Sequence, residues 1–223
     1  MGIIKIAIDG PAGAGKSTIA RMISRELGIV YLDTGAMYRT VALKAIMEGI
    51  DTLDAEKLAA MVKGIDIRIE YSDSEQHIIL DGEDVSRKIR TPEVSIGASN
   101  VAVVPAVRIK LVELQREIAG ESSVVMDGRD IGTYVLPDAD LKIFLYASAE
   151  ERAKRRYREQ IEKGMANASI DEVKKDMEYR DKNDSSREFA PLSKASDAVE
   201  LDTTDLTIGQ VAQKIMGYVK DVK

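Results

Sequence analysis

The sequence predicts an α/β fold in which a parallel sheet of five strands is flanked by helices. Short runs of β-branched and apolar residues, each ending at a turn or at the start of a helix, indicate buried strands. Helical patterns lie between these runs, and strands that alternate with helices are typical of a doubly wound sheet. A glycine-rich segment joins the first strand to the first helix. These observations predict a single domain over residues 1–223.

The predicted strands are short and apolar, which suits a sheet that helices cover on both faces. They comprise residues 3–8, 29–32, 123–126, 141–146 and 198–201. The predicted helices carry apolar residues at spacings of three and four, so that each can bury one face. They comprise residues 16–27, 36–48, 55–62, 105–119, 149–163, 170–180 and 208–222.

One stretch interrupts the alternation of strands and helices. Residues 65–71 and 77–80 alternate apolar and polar side chains, and the polar turn residues 72–74 separate them. Gly64 and the Thr-Pro pair at 91–92 bound this stretch. We therefore predict a small antiparallel insertion, over about residues 64–92, at the edge of the main sheet.

Composition and charge exclude several classes of protein. The chain has 38 acidic and 32 basic residues, a net charge of −6, whereas nucleic-acid-binding domains are strongly basic. The absence of cysteine excludes a disulfide framework, a thiolate nucleophile and a cysteine-ligated zinc. No apolar run approaches the roughly 18 residues of a membrane span, and the first strand lacks the apolar region of a signal peptide. We expect a cytoplasmic protein without a nucleic-acid or membrane partner.

Residues 10–17 read Gly-Pro-Ala-Gly-Ala-Gly-Lys-Ser, which fits the phosphate-binding pattern G-x-x-x-x-G-K-[ST] between a strand and a helix. Small residues let main-chain N–H groups approach phosphates, and the helix N-terminus adds positive partial charge. Lys16 is expected to reach the β- and γ-phosphate oxygens, and Ser17 to ligate Mg²⁺. The predicted nucleotide-binding residues are Gly10, Pro11, Ala12, Gly13, Ala14, Gly15, Lys16, Ser17 and Thr18.

Other signatures narrow the class of P-loop protein. A regulatory GTPase needs Asn-Lys-x-Asp, and the similar string at 181–184 reads Asp-Lys-Asn-Asp. The patterns D-x-x-G and Leu-Ser-Gly-Gly, the latter expected in a transporter-type ATPase, are both absent. What remains is a small phosphotransferase, which needs arginines beyond the P-loop to neutralise phosphates and should exclude water.

Arginines and one carboxylate lie where a doubly wound sheet binds ligands, near strand ends and helix boundaries. Asp127 follows the strand 123–126 and is a Walker-B-like candidate for a position near Mg²⁺. Two alternatives without a functional role stay open. Each arginine alone is more often a solvated surface charge, and an Asp before Gly often forms a turn. The candidate arginines are Arg39, Arg108, Arg129, Arg180 and Arg187.

Four segments of the sequence form a distinctive combination. They are the P-loop at 10–17, Leu-Asp-Thr-Gly-Ala-Met-Tyr-Arg at 32–39, Asp-Gly-Arg-Asp-Ile-Gly-Thr at 127–133 and Arg-Asp-Lys-Asn-Asp-Ser-Ser-Arg at 180–187. Together with the segments 89–94, 98–108 and 190–192, this combination resembles the bacterial cytidylate kinases, a family of P-loop nucleoside monophosphate kinases. The similarity runs nearly from end to end.

The resemblance implies transfer of the γ-phosphoryl group of ATP to CMP or dCMP with Mg²⁺, by a monomer. It also implies an acceptor-binding lobe at 35–105 and an arginine-rich lid at 150–167. By the family pattern, Ser99, Arg108 and Asp130 face the cytosine. The implied acceptor-site residues also include Thr34, the phosphate-binding Arg39, Arg129 and Arg180, and Asp184 and Arg187 near the sugar and base.

The lid helix carries several arginines, of which Arg152 and Arg156 are the predicted pair that closes over ATP. The alternative is a solvated helix whose arginines pair with nearby glutamates. The resemblance also places residues 202–204 near the adenine. The predicted catalytic set is Lys16, Arg129, Arg152, Arg156 and Arg180, and the predicted metal ligands are Ser17 and Asp127.

Two other functions stay open at this point. One is a kinase for another nucleoside monophosphate or for a small acid such as shikimate, and a panel of acceptors separates these. The other is a nucleotide-dependent switch, in which the P-loop binds a nucleotide without transferring a phosphoryl group.

Overall fold

The computed structural model describes residues 3–72, 75–162, 164 and 169–221. Its main sheet has five parallel strands in the order β2-β6-β1-β7-β8. The strands are β1 (Lys5–Asp9), β2 (Val30–Asp33), β6 (Val124–Gly128), β7 (Leu141–Tyr146) and β8 (Val199–Asp202). The predicted α/β fold class and the five predicted strands are confirmed.

Helices cover both faces of this sheet. Alternate residues of β1 point to opposite sides, as in any strand: Ala7 packs into one apolar core, whereas Ile6 and Ile8 pack into the other. The helices are α1 (Lys16–Leu27), α2 (Thr34–Met47), α3 (Ala55–Met61), α4 (Pro92–Val101), α5 (Pro105–Glu121), α6 (Ala149–Glu162), α7 (Ile170–Ser186) and α8 (Ile208–Asp221).

The parallel register brings three carboxylates to one edge of the sheet. Asp33 at the end of β2 lies beside Asp127 in β6, and Ile8, the neighbour of Asp9, also pairs with Asp127. Because every strand points the same way, the loops that follow β1, β2, β6 and β7 meet at this edge. The candidate site residues are positioned there.

The predicted antiparallel insertion is present as a second sheet. It comprises β3 (Ile67–Ser72), β4 (Glu75–Leu80) and the short strand β5 (Glu83–Asp84), which the sequence did not indicate. Its inward side chains, including Ile67, Ile78 and Leu80, join the core that also holds Met37. Residues 73 and 74 of the predicted turn lie outside the described residues.

Two helices differ from the prediction. Helix α4 was not predicted because its small residues give a weak apolar pattern, yet Thr91 caps it and a proline occupies its first turn. Gly97 lets α4 approach α2, since a Cβ there would lie 3.1 Å from the Cβ of Ala42. Helix α7 continues to Ser186, six residues beyond the predicted end. Residues 163 and 222, the predicted ends of two helices, lie outside the described residues.

Across the described residues, no single helix is long and apolar enough to cross a membrane. Helices α4 and α5 pass such a test only as a pair, and they meet at an angle of 100°.

Candidate active site

A cleft of about 1160 Å³ opens at the carboxyl edge of the main sheet. The P-loop forms one side, the start of α2, the C-terminal half of α7 and part of α4 form the other, and α6 and the segment before α8 extend it. The predicted residues that line this single cleft are Ala12, Gly13, Ala14, Gly15, Lys16, Ser17, Thr18, Thr34, Arg39, Ser99, Asp127, Arg129, Asp130, Arg156, Arg180, Asp184 and Arg187.

Three P-loop glycines have positive φ angles, at Gly10 (145°), Gly13 (74°) and Gly15 (90°). Gly10 is also held tightly, since a Cβ there would lie 1.9 Å from the main-chain oxygen of Leu145 in β7. Residues with a side chain rarely adopt such backbone conformations. The loop therefore needs glycine at these positions in order to turn away from β1 toward the cleft.

Lys16 lies in the first turn of α1 and is almost fully buried. Its Nζ donates a hydrogen bond to the carbonyl of Pro11 at 2.7 Å, which closes the P-loop on itself. Burial, followed by the positive charge of Arg129, lowers the pKa of Lys16 to about 7. An anionic ligand in the loop would restore the charge of this ammonium group.

The carboxylate of Asp127, at the end of β6, accepts hydrogen bonds from two hydroxyl groups. Ser17 donates to Oδ2 at 2.8 Å, and Tyr31 donates to Oδ1 at 2.8 Å. Burial, and then the nearby Asp33 carboxylate, raise the pKa of Asp127. Mg²⁺ takes oxygen ligands, of which one or two come from the protein and others from water and phosphate. The Ser17 hydroxyl and the Asp127 carboxylate fit that donor set.

Four arginines converge on the part of the cleft that faces the P-loop: Arg39, Arg129, Arg156 and Arg180. Burial, and then Arg156 and Arg129, lower the pKa of Arg180 to about 10. Within the described residues, the Nε atoms of Arg39 and Arg180 are buried without a hydrogen-bond partner. Buried donors without partners and mutually repelling cations indicate a site built for an anion.

Asp33, which the sequence indicated only as part of a motif, positions one of these arginines. Its Oδ1 accepts a hydrogen bond from the N–H of Ala36 and so caps α2. Its Oδ2 accepts a hydrogen bond from Arg39 Nη2 at 2.9 Å. Burial opposes ionisation, but Arg39 and Arg90 hold the pKa of Asp33 below its usual value. Thr34, next in the chain, donates its hydroxyl to the carbonyl of Asp127 at 2.7 Å.

A second group of polar residues lies deeper, between α4, α5 and the turn after β6. Arg108 forms an ion pair with Asp130, and its guanidinium lies 5.6 Å from the ring centre of Tyr38. Ser99 accepts a hydrogen bond from the amide of Asn183 at 3.3 Å. Ser99 and Asp130 line the cleft, whereas Arg108 is fully buried behind them. These groups could read hydrogen-bonding atoms at the far end of a ligand.

Asp184 on α7 joins two of the predicted arginines. It accepts Arg129 Nε at 2.6 Å, and Arg187 Nη2 lies 3.9 Å from its other oxygen. Burial opposes ionisation, but Arg129 and then Arg187 lower the pKa of Asp184. The extension of α7 beyond residue 180 is what carries Asp184 into the cleft.

The lid arginines divide between two locations. Arg156 lines the cleft and pairs with Glu159 at 2.9 Å. Arg152, predicted with it, lies under the P-loop and outside the lining of the cleft, where its guanidinium contacts the Ala12 carbonyl and Asp181. Residues 163 and 165–167 of the predicted lid lie outside the described residues.

Sequence reasoning also missed Arg155, Tyr31 and Asp9. Arg155 lines the cleft and donates to the hydroxyl of Thr203 at 3.0 Å, at the end where the adenine was expected. Tyr31 binds Asp127, as described above. Asp9 accepts the N–H groups of Ile131 and Gly132 at 2.8 and 2.7 Å, which fixes the turn that follows Asp130. The strong apolar pattern around Tyr31 and Asp9 indicated only strands.

The fold and the site together define a P-loop kinase, in which a phosphate-binding loop faces a cluster of arginines across one cleft. The chain belongs to the cytidylate kinase family, because the model of that family matches residues 6–221.

Relatives of known name are similar over nearly the whole chain. Cytidylate kinases of Bacillus thuringiensis (strain Al Hakam) and Bacillus cereus (strain AH187) are each 51% identical to it over 219 residues, which cover 98% of this chain and 97% of theirs. Among solved structures, a shikimate kinase from Bacteroides thetaiotaomicron superposes with a TM-score of 0.52 at 12% identity, over 98% of this chain and 99% of that one. At that identity, the likeness shows the fold alone.

Proposed function

We propose that this protein transfers the γ-phosphoryl group of ATP to CMP or dCMP and forms ADP and CDP or dCDP. The observation that carries the proposal is that Ser99 and Asp130, the latter paired with the buried Arg108, line the same cleft as the P-loop and the arginine cluster. A single cleft that holds both the P-loop and a separate arginine cluster suits a phosphoryl donor bound beside a nucleoside monophosphate. The family and its named members support the same reaction.

On the donor side, main-chain N–H groups of residues 10–18 and the N-terminus of α1 would bind the phosphates of ATP. Lys16 would turn from the Pro11 carbonyl toward the β- and γ-phosphates. Ser17 and Asp127 would hold Mg²⁺, which neutralises charge on the phosphates when it is bound. Thr203 and Arg155 lie at the end of the cleft that we assign to the adenine.

On the acceptor side, Arg39, Arg129 and Arg180 would bind the phosphate of CMP, with Thr34 beside them. The acceptor phosphate oxygen is largely ionised near neutral pH, since its second pKa is about 6, so the reaction needs no general base. Catalysis then depends on holding both phosphates in line and on stabilising charge in transfer. Lys16, Arg129, Arg156 and Arg180 are the residues that we assign to this role.

Recognition of the base is assigned to Ser99, Arg108 and Asp130. Cytosine presents an amino donor beside two acceptors, so a carboxylate and an arginine can distinguish it from uracil, which presents a carbonyl at that position. A site that leaves a buried polar group unpaired rejects the wrong ligand strongly. Asp184 and Arg187 would contact the sugar and the base edge.

The acceptor-binding lobe at 35–105 and the lid at 150–167 are part of this proposal. Their closure over the two nucleotides would exclude water and so prevent hydrolysis of ATP. We further propose that the protein acts as a monomer in the cytoplasm, without nucleic-acid or membrane partners.

The test is ADP formation from Mg-ATP with CMP, dCMP, UMP, AMP, GMP and shikimate, each compared with a reaction without acceptor. We expect fast turnover only with CMP and dCMP. Fast turnover with a different acceptor would retain the kinase class and refute the base assignment. ADP formation that is independent of acceptor, or no ADP formation, would refute the proposal and favour a nucleotide-dependent switch.

A further inference from the structure

Ala12 and Gly13 form the crest of the P-loop. Both main-chain polar groups of Ala12 form hydrogen bonds with side chains from outside the loop. Asp181 Oδ1 on α7 accepts the N–H of Ala12 at 3.4 Å. Arg152 Nη1 on α6 donates to the carbonyl of Ala12 at 2.9 Å. Arg152 and Asp181 also pair with each other at 2.7 Å. The two side chains and Ala12 thus form a closed ring of three contacts.

This ring is anchored next to the end of β7 and largely protected from water. Arg152 Nε donates to the carbonyl of Ala147, just after β7, at 3.1 Å. The Arg152 side chain is 10% exposed and that of Asp181 is 25% exposed. An ion pair that is mostly buried and bonded at both ends has a defined geometry, unlike a pair on the surface.

Apolar packing reinforces the same contact. Ala12 forms a small core with Ala153 on α6 and with Val173 and Met177 on α7. A Cβ on Gly13 would lie 2.7 Å from Met177 Cε, so the crest rests directly on α7. The conformation of the P-loop crest is therefore determined by the interface between α6 and α7.

Helix α7 also carries the acceptor side of the site. Asp181 directly follows Arg180, and Asp184 lies one turn further along the same helix. The helix that holds the donor loop thus presents the arginine that we assign to the acceptor phosphate.

We propose that Arg152 and Asp181 are positioning residues that fix the P-loop crest on α7 and so hold the loop in the conformation that binds the donor phosphates. This role rests on the proposed function. It differs from the expected role of Arg152, because its guanidinium faces the main chain of Ala12 and does not line the cleft. Neither side chain contacts the reacting atoms.

Loss of the Arg152–Asp181 pair is expected to change the KM for ATP much more than kcat. Loss of either side chain frees the crest and weakens binding of the ATP phosphates, while the residues that stabilise the transferred group stay in place. We expect Arg152→Met and Asp181→Asn each to raise the KM for ATP by about 10-fold, with kcat changed by less than about threefold. Arg152→Lys should recover part of the loss, since an ammonium group can still donate to a carbonyl.

A double-mutant cycle tests whether the two residues act as one unit. The double variant Arg152→Met with Asp181→Asn should raise the KM no further than the more damaging single change. Matched controls are Lys154→Met and Asp176→Asn, which change exposed residues on the same two helices and should leave both constants unchanged. Thermal unfolding followed by circular dichroism checks that every variant folds.

Binding of ATP alone, measured with a fluorescent analogue in the absence of acceptor, tests the proposal independently of transfer. The dissociation constant should rise in both single variants even if CMP proves not to be the acceptor, which would refute only the proposed function. The positioning role is overturned if Arg152→Met reduces kcat by 100-fold or more, on the order expected for a group at the reacting centre, while Asp181→Asn leaves ATP binding unchanged. If Arg152→Met fails to fold, Asp181→Asn alone decides between these outcomes.

Discussion

Arg108 and Asp130 form an ion pair from which water is almost completely excluded, with side-chain exposures of 0% and 6%. The guanidinium also donates to the carbonyl of Ala102 at 3.3 Å and packs over Tyr38. Asp130 still reaches the wall of the cleft. The pair thus connects the interior of the protein to its ligand site, and its two buried charges compensate each other in the ligand-free protein.

Removal of Asp130 is expected to destabilise the protein strongly. Asp130→Ala leaves Arg108 buried and unpaired, which should lower the free energy of unfolding by about 3–5 kcal/mol. Replacement of both residues, by Asp130→Ala with Arg108→Met, should recover much of this loss because no buried charge remains. Urea unfolding measures the difference, with Asp138→Ala as an exposed control. A loss below 1 kcal/mol, about the size found for surface pairs, would contradict the buried-pair interpretation.

Arg180 is expected to oppose stability and support activity. Burial and the neighbouring arginines disfavour its charge, so Arg180→Met should raise the melting temperature of the ligand-free protein by about 2–4 °C. The same change removes a charged donor to the acceptor phosphate and should lower kcat/KM for CMP by about 10- to 100-fold. Thermal unfolding and steady-state kinetics measure the two effects.

Arg25→Met, on the exposed face of α1, is the matched control and should change neither quantity. ATP affinity should also stay within about twofold of the wild-type value in Arg180→Met, since the arginine lies across the cleft from the P-loop. Wild-type turnover in Arg180→Met would show that the acceptor phosphate binds elsewhere.

The buried carboxylate of Asp9 is expected to give the site a dependence on pH. Burial raises the pKa of Asp9 to about 6, and its carboxylate accepts two N–H groups that fix the turn after Asp130. Protonation weakens one acceptor oxygen, so kcat/KM for CMP should fall as the pH falls through about 6. CMP itself titrates in this range, and the ratio of wild type to Asp9→Asn removes that shared effect. The ratio should decrease toward low pH, and a constant ratio would exclude this role.

The same shift fixes the sign of the stability change. Between the ordinary pKa of 3.8 and about 6, the folded state binds more protons at Asp9 than the unfolded state does. The free energy of unfolding of the wild type, relative to Asp9→Asn, should therefore decrease as the pH rises through this window and be constant above it. Urea unfolding at a series of pH values measures this difference.

Two glycines should respond to alanine in opposite directions. Gly10→Ala places a Cβ 1.9 Å from the Leu145 oxygen at a φ of 145°, so we expect a loss of about 3 kcal/mol or more, or no folded protein. Gly217 lies exposed within α8 with open space around it, and Gly217→Ala should stabilise the protein by about 0.5–1 kcal/mol. Chemical unfolding of both variants is the measurement, and equal effects would contradict the close approach of β1 to β7.

The main sheet and the P-loop could be predicted because their signals are local. Buried parallel strands read as apolar runs, and the G-x-x-x-x-G-K-S pattern requires a strand before it and a helix after it. Helix α4 gave no such signal, because Ser95, Gly97 and Ser99 suit close packing against α2 and a ligand rather than an apolar stripe.

The partners of the site residues could not be predicted, because they depend on how distant segments align. Tyr31 meets Asp127 only through the pairing of β2 with β6, and Asp9 meets Gly132 across 123 residues of sequence. Arg152 and Arg155 lie three residues apart on one helix, yet one faces the P-loop main chain and the other faces the cleft. Residue type and spacing do not distinguish these two directions.

The lowered pKa of Lys16 has a consequence for the heat of nucleotide binding. Above about pH 7 the empty site holds part of this lysine as a neutral amine bonded to Pro11, whereas bound phosphates favour the ammonium form. Binding of ATP must then draw a proton from the solution. The enthalpy observed by titration calorimetry at such a pH is expected to include the ionisation enthalpy of the buffer, and its slope against that quantity gives the net number of protons taken up on binding, to which Lys16 contributes.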